Sequence, residues 1–287
     1  MTDDGSAVFL EARPRLFGIA YRMLGSAAEA DDVLQDAWLR WQGTDRARIE
    51  QPAAFLATVT TRLAMNALGS ARVRREVYAG PWLPEPVSTA DDPALGAERA
   101  EALQFAVVLL LERLSPAERA AYVLHEAFDY PFRLIAEVLE TTEANARQLA
   151  SRARSRLRLE RGRTATPEQR DRLLTAFVAA AQAGDLERLE SLLVEDAVSL
   201  SDGGGVVSAA RKPVVGRARV AQFVLGVLDK FGQGVEVRPA ALNGEPALIG
   251  LRDGEPITVW TVDAAPDGVR RILMVLNPAK LARLPRV

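Results

Sequence analysis

Apolar side chains recur every three or four residues up to about residue 160 of the chain, and this spacing predicts helices. The clearest case is residues 30–41, where the apolar positions are Val33, Leu34, Ala37, Trp38 and Trp41. Further helices are predicted over 52–75 and 94–114. Residues 78–93 contain four prolines and a glycine without a regular period, so we expect a linker there.

Two helices joined by a tight turn are predicted near the end of this helical part. A serine, proline and glutamate capping signal begins a helix at Ser115. Residues 131–139 then form a short predicted helix and residues 140–142 a turn, and a longer arginine-rich helix starts at Glu143. This arrangement is typical of the helix-turn-helix, which places its second helix in the DNA major groove.

The longer helix has an apolar face and a polar face. The apolar face, which we expect to pack inward, consists of Ala146, Leu149, Ala150, Ala153 and Leu157. The face that points away, and is available to read DNA, consists of Gln148, Ser151, Arg152 and Ser155. Arginines flank that face on both sides, namely Arg147, Arg154, Arg156 and Arg158. An exposed basic helix without a ligand is the alternative that this pattern leaves open.

The pattern changes after Arg163. Helical spacing continues over 166–183 and 186–193. Short strand-like runs follow, separated by turn dipeptides such as Asn243-Gly244, and they cover residues 197–200, 247–251, 257–262 and 269–275. We therefore predict an all-α part followed by an α+β domain with a curved antiparallel sheet.

Charge is segregated along the chain, although its sum is nearly zero. The 287 residues include 36 Lys plus Arg and 38 Asp plus Glu, for a formal net charge of −2. Residues 29–36 carry acidic side chains without a basic one, whereas 62–75 and 143–163 are rich in arginine. Each run alone is also typical of a solvated helix face.

Composition excludes several classes of protein and site. Cysteine is absent, which rules out disulfides, thiolate metal sites and cysteine nucleophiles. The longest strongly apolar run, residues 105–111, is far shorter than the roughly 20 residues of a membrane-spanning helix. The N-terminus has no signal-peptide pattern, so we expect a soluble cytoplasmic protein without a membrane partner.

Several motifs, in order, resemble one family. Residues 15–41 and 62–78 are similar to region two, and residues 114–159 to region four, of extracytoplasmic-function sigma factors of the sigma-70 family. Three short strings resemble those of the subgroup with a fused SnoaL-like C-terminal domain: PWLPEP at 81–86, DGGG at 202–205 and NPAKL at 277–281.

The resemblance implies a domain order and a function. Region two would occupy residues 1–77, the linker 78–93, region four 94–163 and a cone-shaped SnoaL-like domain 166–287. Such a protein directs promoter-specific transcription initiation, with RNA polymerase core enzyme and promoter DNA as partners. The C-terminal domain would stand in for a separate anti-sigma factor and modulate activity in cis.

The resemblance also implies residue roles. Core polymerase would be bound by Asp31, Asp32, Gln35 and Asp36. The minus-ten element would be bound by Arg62, Asn66, Ser70, Arg72, Arg74 and Arg75, with Arg62, Asn66 and Ser70 opposite Leu63, Ala67 and Ala71. The minus-thirty-five element would be bound by Arg147, Gln148, Ser151, Arg152, Arg154, Ser155, Arg156 and Arg158. Regulatory contacts would involve Trp82, Leu83, Pro84, Asp202, Gly203, Gly204, Gly205, Asn277, Pro278 and Lys280, with Trp82, Leu83 and Pro84 as an apolar anchor.

This chain departs from the family pattern at three positions. Asn66 replaces a common aspartate, Gly69 an arginine, and Val206 the lysine that usually follows the DGGG string. The first two changes bear on promoter preference, and the third removes a charged contact.

Enzymatic activity is not expected, although SnoaL-like domains include cyclases and isomerases. The single histidine, His125, lies in the helix-turn-helix part, and no spacing suggests a metal site, so we expect neither catalytic residues nor a cofactor. Two alternatives remain open: a helix-turn-helix regulator that acts without polymerase, and a C-terminal domain that binds or converts a small apolar metabolite.

Overall fold

The computed structural model describes residues 4–89 and 103–284, and these divide into two compact units. Unit 1 contains the chain up to Val77 and the part that ends at Glu160. Unit 2 contains the linker from Tyr78 onward and everything from Arg161. The predicted start of a helix at residue 94 lies outside the described residues.

Unit 1 is helical, as predicted. Its helices are α1 (Asp4–Leu24), α2 (Ala27–Gln42), α3 (Pro52–Glu76), α4 (Phe105–Leu111), α5 (Pro116–Tyr122), α6 (Phe132–Val138) and α7 (Glu143–Arg161, whose last residue falls in unit 2). The predicted capping box at Ser115 is confirmed, because its side chain accepts from the Glu118 N–H while Glu118 accepts in return.

The apolar face predicted for residues 30–41 packs α2 against α1 and α3. Val33, Leu34 and Ala37 are buried, and the Trp41 indole is 1% exposed and donates to the Gly5 carbonyl at 2.7 Å. Burying one such large apolar side chain contributes about 1.5–3 kcal/mol. The hydrophobic face of α2 therefore fixes the helices of the N-terminal bundle.

The two helical regions expected over 1–77 and 94–163 pack together within unit 1. Helix α3 contacts both α5 and α6, and α1 contacts α4 and α5. The Arg119 side chain is fully buried at this junction, where its Nε donates to the Arg22 carbonyl at 2.9 Å. The junction is thus partly polar.

Unit 2 combines helices with a six-stranded sheet. The helices are α8 (Pro167–Ala183), α9 (Leu186–Leu192), α10 (Arg217–Phe231) and α11 (Pro278–Leu281). The strands are β1 (Leu193–Asp202), β2 (Val214–Val215), β3 (Glu236–Leu242), β4 (Glu245–Arg252), β5 (Glu255–Ala265) and β6 (Gly268–Val275), in the order β2-β1-β6-β5-β4-β3.

The sheet is mixed, so the prediction of an antiparallel sheet was wrong for one pair. Strands β1 and β6 run parallel, with Ser199 beside Ile272, while the other pairs are antiparallel. These two strands lie far apart in the sequence, and alternation of apolar residues carries no information about the direction of a distant partner. Register shifts in β1, β4 and β5 add the local bending that β-bulges produce.

One face of the sheet is covered by the helices of unit 2. Phe177 of α8 and Val224 of α10 pack in one core cluster with Val262, Ile272 and Met274 of the sheet. The Asn243-Gly244 turn joins β3 to β4 with positive φ at both residues, as a two-residue hairpin turn requires. Within the described residues, no helix is both long enough and apolar enough to cross a bilayer.

Candidate functional site

Helix α7 presents the polar surface that the sequence predicts. Its buried positions are Ala146, Leu149, Ala150, Ala153 and Leu157, and the side chains of Gln148, Ser151, Arg152 and Ser155 are exposed. The Thr142 hydroxyl accepts from the Asn145 N–H at 3.2 Å and caps the helix start. The predicted division into a packed face and an open face is confirmed.

Arginines beside that open face are held by carboxylates. Arg147 pairs with Glu143 one turn earlier, and its guanidinium lies 4.8 Å from the centre of the Phe132 ring. Arg154 pairs with Glu126, which lies in the π-helical segment Val123–Ala127 after α5. Arg158 is exposed and makes no hydrogen bond or ion pair to another described residue.

Glu118 of α5 contacts two further arginines of α7. Arg156 Nη1 lies 3.3 Å from Glu118 Oε2, and Arg152 Nε lies 3.7 Å from Glu118 Oε1. Burial disfavours the charged carboxylate, but hydrogen bonds from Ser115 and the charges of the two arginines outweigh it, so the pKa of Glu118 lies below its ordinary value. Glu118 is therefore an anion at neutral pH.

The residues predicted to meet the minus-ten element lie along α3. Asn66 and Ser70 are exposed, and Arg74 pairs with Glu29 of α2. Of the three residues predicted on the packed side, Ala71 is buried, whereas Leu63 and Ala67 are only half-buried. Their neighbours Ala64 and Leu68 are fully buried instead.

Arg62 caps the end of helix α6. Its Nε donates to the Val138 carbonyl at 3.0 Å and its Nη2 to the Glu137 carbonyl at 2.8 Å. The carbonyls of the last helical turn have no partner within their own helix, and a guanidinium satisfies them well. Arg62 also lies 3.2 Å from the Glu140 carboxylate.

Arg72 and Arg75 also contact the second helical region. Arg72 donates to the Leu114 carbonyl, and Arg75 pairs with Glu112, which binds buried Arg119 as well. Burial of Glu112 disfavours its charge, but Arg119 and Arg75 reverse that effect and hold its pKa below the ordinary value. All four predicted minus-ten arginines thus have partners inside unit 1, and three of them, Arg62, Arg72 and Arg75, contact the second helical region.

The acidic side of α2 faces solvent. Asp32, Gln35 and Asp36 are exposed, and Leu39 beside them is 58% exposed. Asp31 differs, because it accepts from Arg13 of α1 at 3.0 Å. Three of the four residues predicted to bind core polymerase therefore face solvent.

His125 has a packing role. Its ring lies 4.1 Å from the Phe132 ring, centre to centre, and its Nδ1 lies 3.3 Å from the Tyr130 carbonyl. Within the described residues, no group of three or more histidine and acidic side chains is gathered for a metal ion.

In unit 2, Asp202 is the centre of the contacts that hold the linker. Its carboxylate is fully buried and accepts from the Tyr78 hydroxyl at 2.6 Å, the Leu83 N–H at 2.8 Å and the Gly204 N–H at 3.1 Å. Lys280 Nζ lies 2.7 Å from it. Burial, followed by the hydrogen bond to Asp202 and the charge of Asp202, raises the pKa of the Tyr78 phenol.

Lys280 binds the linker from the other side. Its ammonium donates to the Leu83 carbonyl and lies 4.3 Å from the centre of the Trp82 ring. Leu83 is fully buried and Pro84 is buried, whereas Trp82 is half-buried. The deepest part of the predicted apolar anchor is therefore Leu83.

The glycine string after Asp202 permits close packing. Gly204 and Gly205 have φ of 62° and 74°. This left-handed backbone conformation is unfavourable for residues that have a side chain. A Cβ at Gly204 would lie 2.4 Å from Asn277 Nδ2, and one at Gly205 would lie 2.9 Å from the Ala79 Cβ of the linker. Val206, in place of the family's lysine, is 75% exposed.

Asn277 joins the last helix to the linker. Its Oδ1 accepts from the Ala279 N–H at 3.1 Å and caps α11, where Pro278 is the first helical residue. Its Nδ2 donates to the Tyr78 hydroxyl at 2.8 Å. Asn277 thus caps helix α11 and also contacts the linker.

Sequence reasoning missed the partners of the second half of the linker. Val87 and Asn243 exchange hydrogen bonds, at 3.1 Å to the Asn243 side chain and 2.8 Å to the Val87 carbonyl. Ser88 forms an isolated antiparallel bridge with Leu242 of β3. Asn243 reads as a turn residue, so no sequence signal marks this contact. Tyr78 was likewise missed, because nothing marks a tyrosine at the end of a helix as a hydrogen-bond partner.

Comparisons with known proteins match both units. Residues 8–74 match the family model of sigma-70 region 2, and residues 104–157 match that of sigma-70, region 4. The ECF RNA polymerase sigma factor SigJ of Mycobacterium tuberculosis is 40% identical, over 96% of this chain and 93% of that protein. The probable ECF RNA polymerase sigma factor SigI of the same species is 29% identical, over 97% and 95%. The crystal structure of SigJ matches with a TM-score of 0.80 at 35% identity, covering 98% of this chain and all of that one.

Proposed function

The chain belongs to the extracytoplasmic-function (ECF) RNA polymerase sigma factors, which direct promoter-specific transcription initiation, and we propose how its surfaces divide that work. Region two lies in α1–α3 and region four in α4–α7. The observation that carries the proposal is the open face of α7, where polar side chains and arginines stand together on a helix of region four.

Helix α7 reads the minus-thirty-five element. The open face carries Gln148, Ser151 and Arg152. Each has a polar side chain that can hydrogen-bond to base edges in the major groove. Arg147, Arg154, Arg156 and Arg158 lie beside them and neutralise phosphates, and Ser155 completes the open face.

Helix α3 binds the minus-ten element after unit 1 opens. The two promoter elements lie about 25 base pairs apart, or about 85 Å along B-DNA. Arg62 touches Val138, five residues before α7 begins, and α7 has 19 residues. Five extended residues span about 17 Å and 19 helical residues about 28 Å, so the far end of α7 is within about 45 Å of the Val138 contact. Arg75 lies about 20 Å beyond Arg62 along α3, so the two surfaces are at most about 65 Å apart. The closed unit is too short to hold both elements.

Opening exchanges one set of acceptors for another. Arg62, Arg72 and Arg75 bind carbonyls and a carboxylate in the closed unit, and phosphate oxygens take over those donors on DNA. Asn66, Ser70 and Arg74 already face outward.

The acidic side of α2, with Asp31, Asp32, Gln35 and Asp36, binds core polymerase in the cytoplasm.

The C-terminal domain regulates this opening by holding the linker. Residues 78–89 follow region two and belong to the linker that leads to region four. Contacts to Asp202, Lys280 and Asn243 fix them to the C-terminal domain. A fixed linker is unavailable for extension, so its release favours the open protein. We assign no catalysis to this domain, because Asp202 is neutralised by Lys280, and Asp263 is paired with Arg271 at 3.1 Å.

Transcription on purified components tests the proposal. The full chain is mixed with core polymerase and a library of promoter fragments that includes the region upstream of its own gene, and transcript starts are sequenced. We expect starts that share two conserved elements, and Arg154→Ala should reduce transcription from them. Arg133→Ala is the matched control, because Arg133 is 76% exposed on α6 and pairs only locally with Glu137. Starts without a shared upstream element, or equal loss in both variants, would contradict the assignment of α7.

A further inference from the structure

Glu118 makes more contacts than its place in the capping box requires. Its Oε2 accepts from the Ser115 N–H at 3.0 Å and from the Ser115 hydroxyl at 2.9 Å. The same oxygen lies 3.3 Å from Arg156 Nη1, and Oε1 lies 3.7 Å from Arg152 Nε. One carboxylate on α5 thus connects the start of that helix to two arginines of α7.

The chain contains a second capping box in which a neutral side chain does the same work. At the start of α8, Gln169 Oε1 accepts from the Thr166 N–H at 2.9 Å, and the Gln169 N–H donates to the Thr166 hydroxyl at 3.2 Å. An amide oxygen is therefore sufficient for the cap in this protein. The negative charge of Glu118 suits the positive end of the helix dipole, and it also does what an amide cannot, which is to attract the two arginines of α7.

The two arginines are positioned alike. Arg152 and Arg156 are four residues apart, so they lie on the same side of α7. Their side chains are 58% and 50% exposed, whereas the Glu118 side chain is 9% exposed. A fixed, nearly buried anion thus holds two long side chains that still face solvent. A guanidinium that is already ordered in the free protein loses less conformational entropy when it binds a base edge. Attraction to phosphate depends on the charge of the guanidinium and not on its order.

We propose that Glu118 is a positioning residue for promoter recognition: it orders Arg152 for sequence readout and holds Arg156 beside it for a phosphate contact. This inference rests on the proposed role of α7. Glu118 also cancels part of the local positive charge, so it weakens attraction to phosphates of any sequence. Its net effect is on the ratio of specific to non-specific affinity rather than on affinity itself.

The test compares Glu118→Gln with wild type in the full chain. Anisotropy titrations use a duplex with the minus-thirty-five element found in the transcription experiment and a duplex with that element scrambled. We expect the ratio of the two affinities to fall about tenfold, or about 1.4 kcal/mol. Affinity for the scrambled duplex should stay equal or rise. Thermal unfolding should be nearly unchanged, because glutamine preserves the capping box.

Glu137→Gln is the matched control. It removes the same charge from region four, but Glu137 is 57% exposed and pairs with Arg133, which is not on α7. Its ratio should match wild type. In a background with Arg152→Ala and Arg156→Ala, adding Glu118→Gln should leave the ratio where it was.

Three results would overturn the inference. They are an unchanged ratio in Glu118→Gln, an equal fall in Glu137→Gln, and a further fall in the double-alanine background. A wild-type protein that does not discriminate the two duplexes would overturn the assigned role of α7 as well. The two failures are therefore distinguishable.

Discussion

Replacing Lys280 by methionine should release the first half of the linker from unit 2. The ammonium is the cation paired with fully buried Asp202, and it also binds the Leu83 carbonyl. Removing one member of a buried ion pair costs about 3–5 kcal/mol. We take the lower end, because Tyr78 and two backbone N–H groups still donate to Asp202. A loss of about 3 kcal/mol corresponds to roughly a hundredfold shift toward the released linker.

Amide hydrogen exchange measures this release directly. The Leu83 N–H donates to Asp202, so its exchange in Lys280→Met should be about a hundredfold faster than in wild type. The Val87 N–H should keep its rate, because the Asn243 side chain holds it separately. Run-off transcription should rise, since the released half is the one that follows α3.

Lys230→Met is the control for this experiment. Lys230 lies in the same unit at the end of α10, and its recorded contact is with the ring of Phe231, 5.3 Å from the centre. It should leave Leu83 exchange unchanged. If Leu83 exchange in Lys280→Met stays within about threefold of wild type, Lys280 does not hold the linker and the reasoning about Asp202 is wrong.

Four further outcomes follow from unit 1. Glu112→Gln weakens the contact that holds Arg75 in the closed unit. If that contact contributes about 1.4 kcal/mol, affinity for a single-stranded minus-ten oligonucleotide, measured by anisotropy, should rise about tenfold. Equal affinity in the variant and wild type would argue against opening. Because the folded pKa of Glu112 is lowered from 4.5, its stabilisation is complete above that value and is lost as pH falls through the folded pKa. The unfolding temperature should therefore drop more in wild type than in Glu112→Gln over that pH range, since Glu118 titrates in both proteins. Arg154→Ala should weaken binding to every duplex and reduce the slope of log affinity against log salt by about one, and an unchanged slope would contradict a phosphate contact. Reversing Asp32 and Asp36 to lysine should slow association with core polymerase in surface plasmon resonance, whereas unchanged rates would remove α2 from that interface.

Local features of the fold were predictable from the sequence. The open and packed faces of α7 follow from a single helical period, and the cap at Ser115 depends on four adjacent residues. The hairpin turn at Asn243-Gly244 is equally local. In each case the determining interactions lie within a few residues, so the sequence pattern contains them.

Contacts between distant segments were not predictable in the same way. Asp202 precedes a glycine and reads as a turn residue, yet its partners Tyr78 and Lys280 are 124 and 78 residues away. The parallel pairing of β1 and β6 is equally remote. Arg62 reads as a phosphate contact, and only the packing of α3 against α6 shows that it caps a helix. These interactions depend on which surfaces meet, and local periodicity does not encode that.

The junction between regions two and four is polar, and its polar groups favour the opening that we propose. Arg119 is fully buried, burial lowers its pKa, and its Nη2 has no hydrogen-bond partner among the described residues. A buried guanidinium that is incompletely satisfied costs free energy, which hydration restores when the junction separates. Arg62, Arg72 and Arg75 give up protein acceptors on opening and gain phosphates. An apolar junction of the same area would gain neither hydration of a buried charge nor contacts with phosphates when it opened. In the proposed mechanism, the polar character of this junction therefore lowers the free energy of opening toward the promoter-bound form, and the linker contacts on Asp202 are a place where that balance is set.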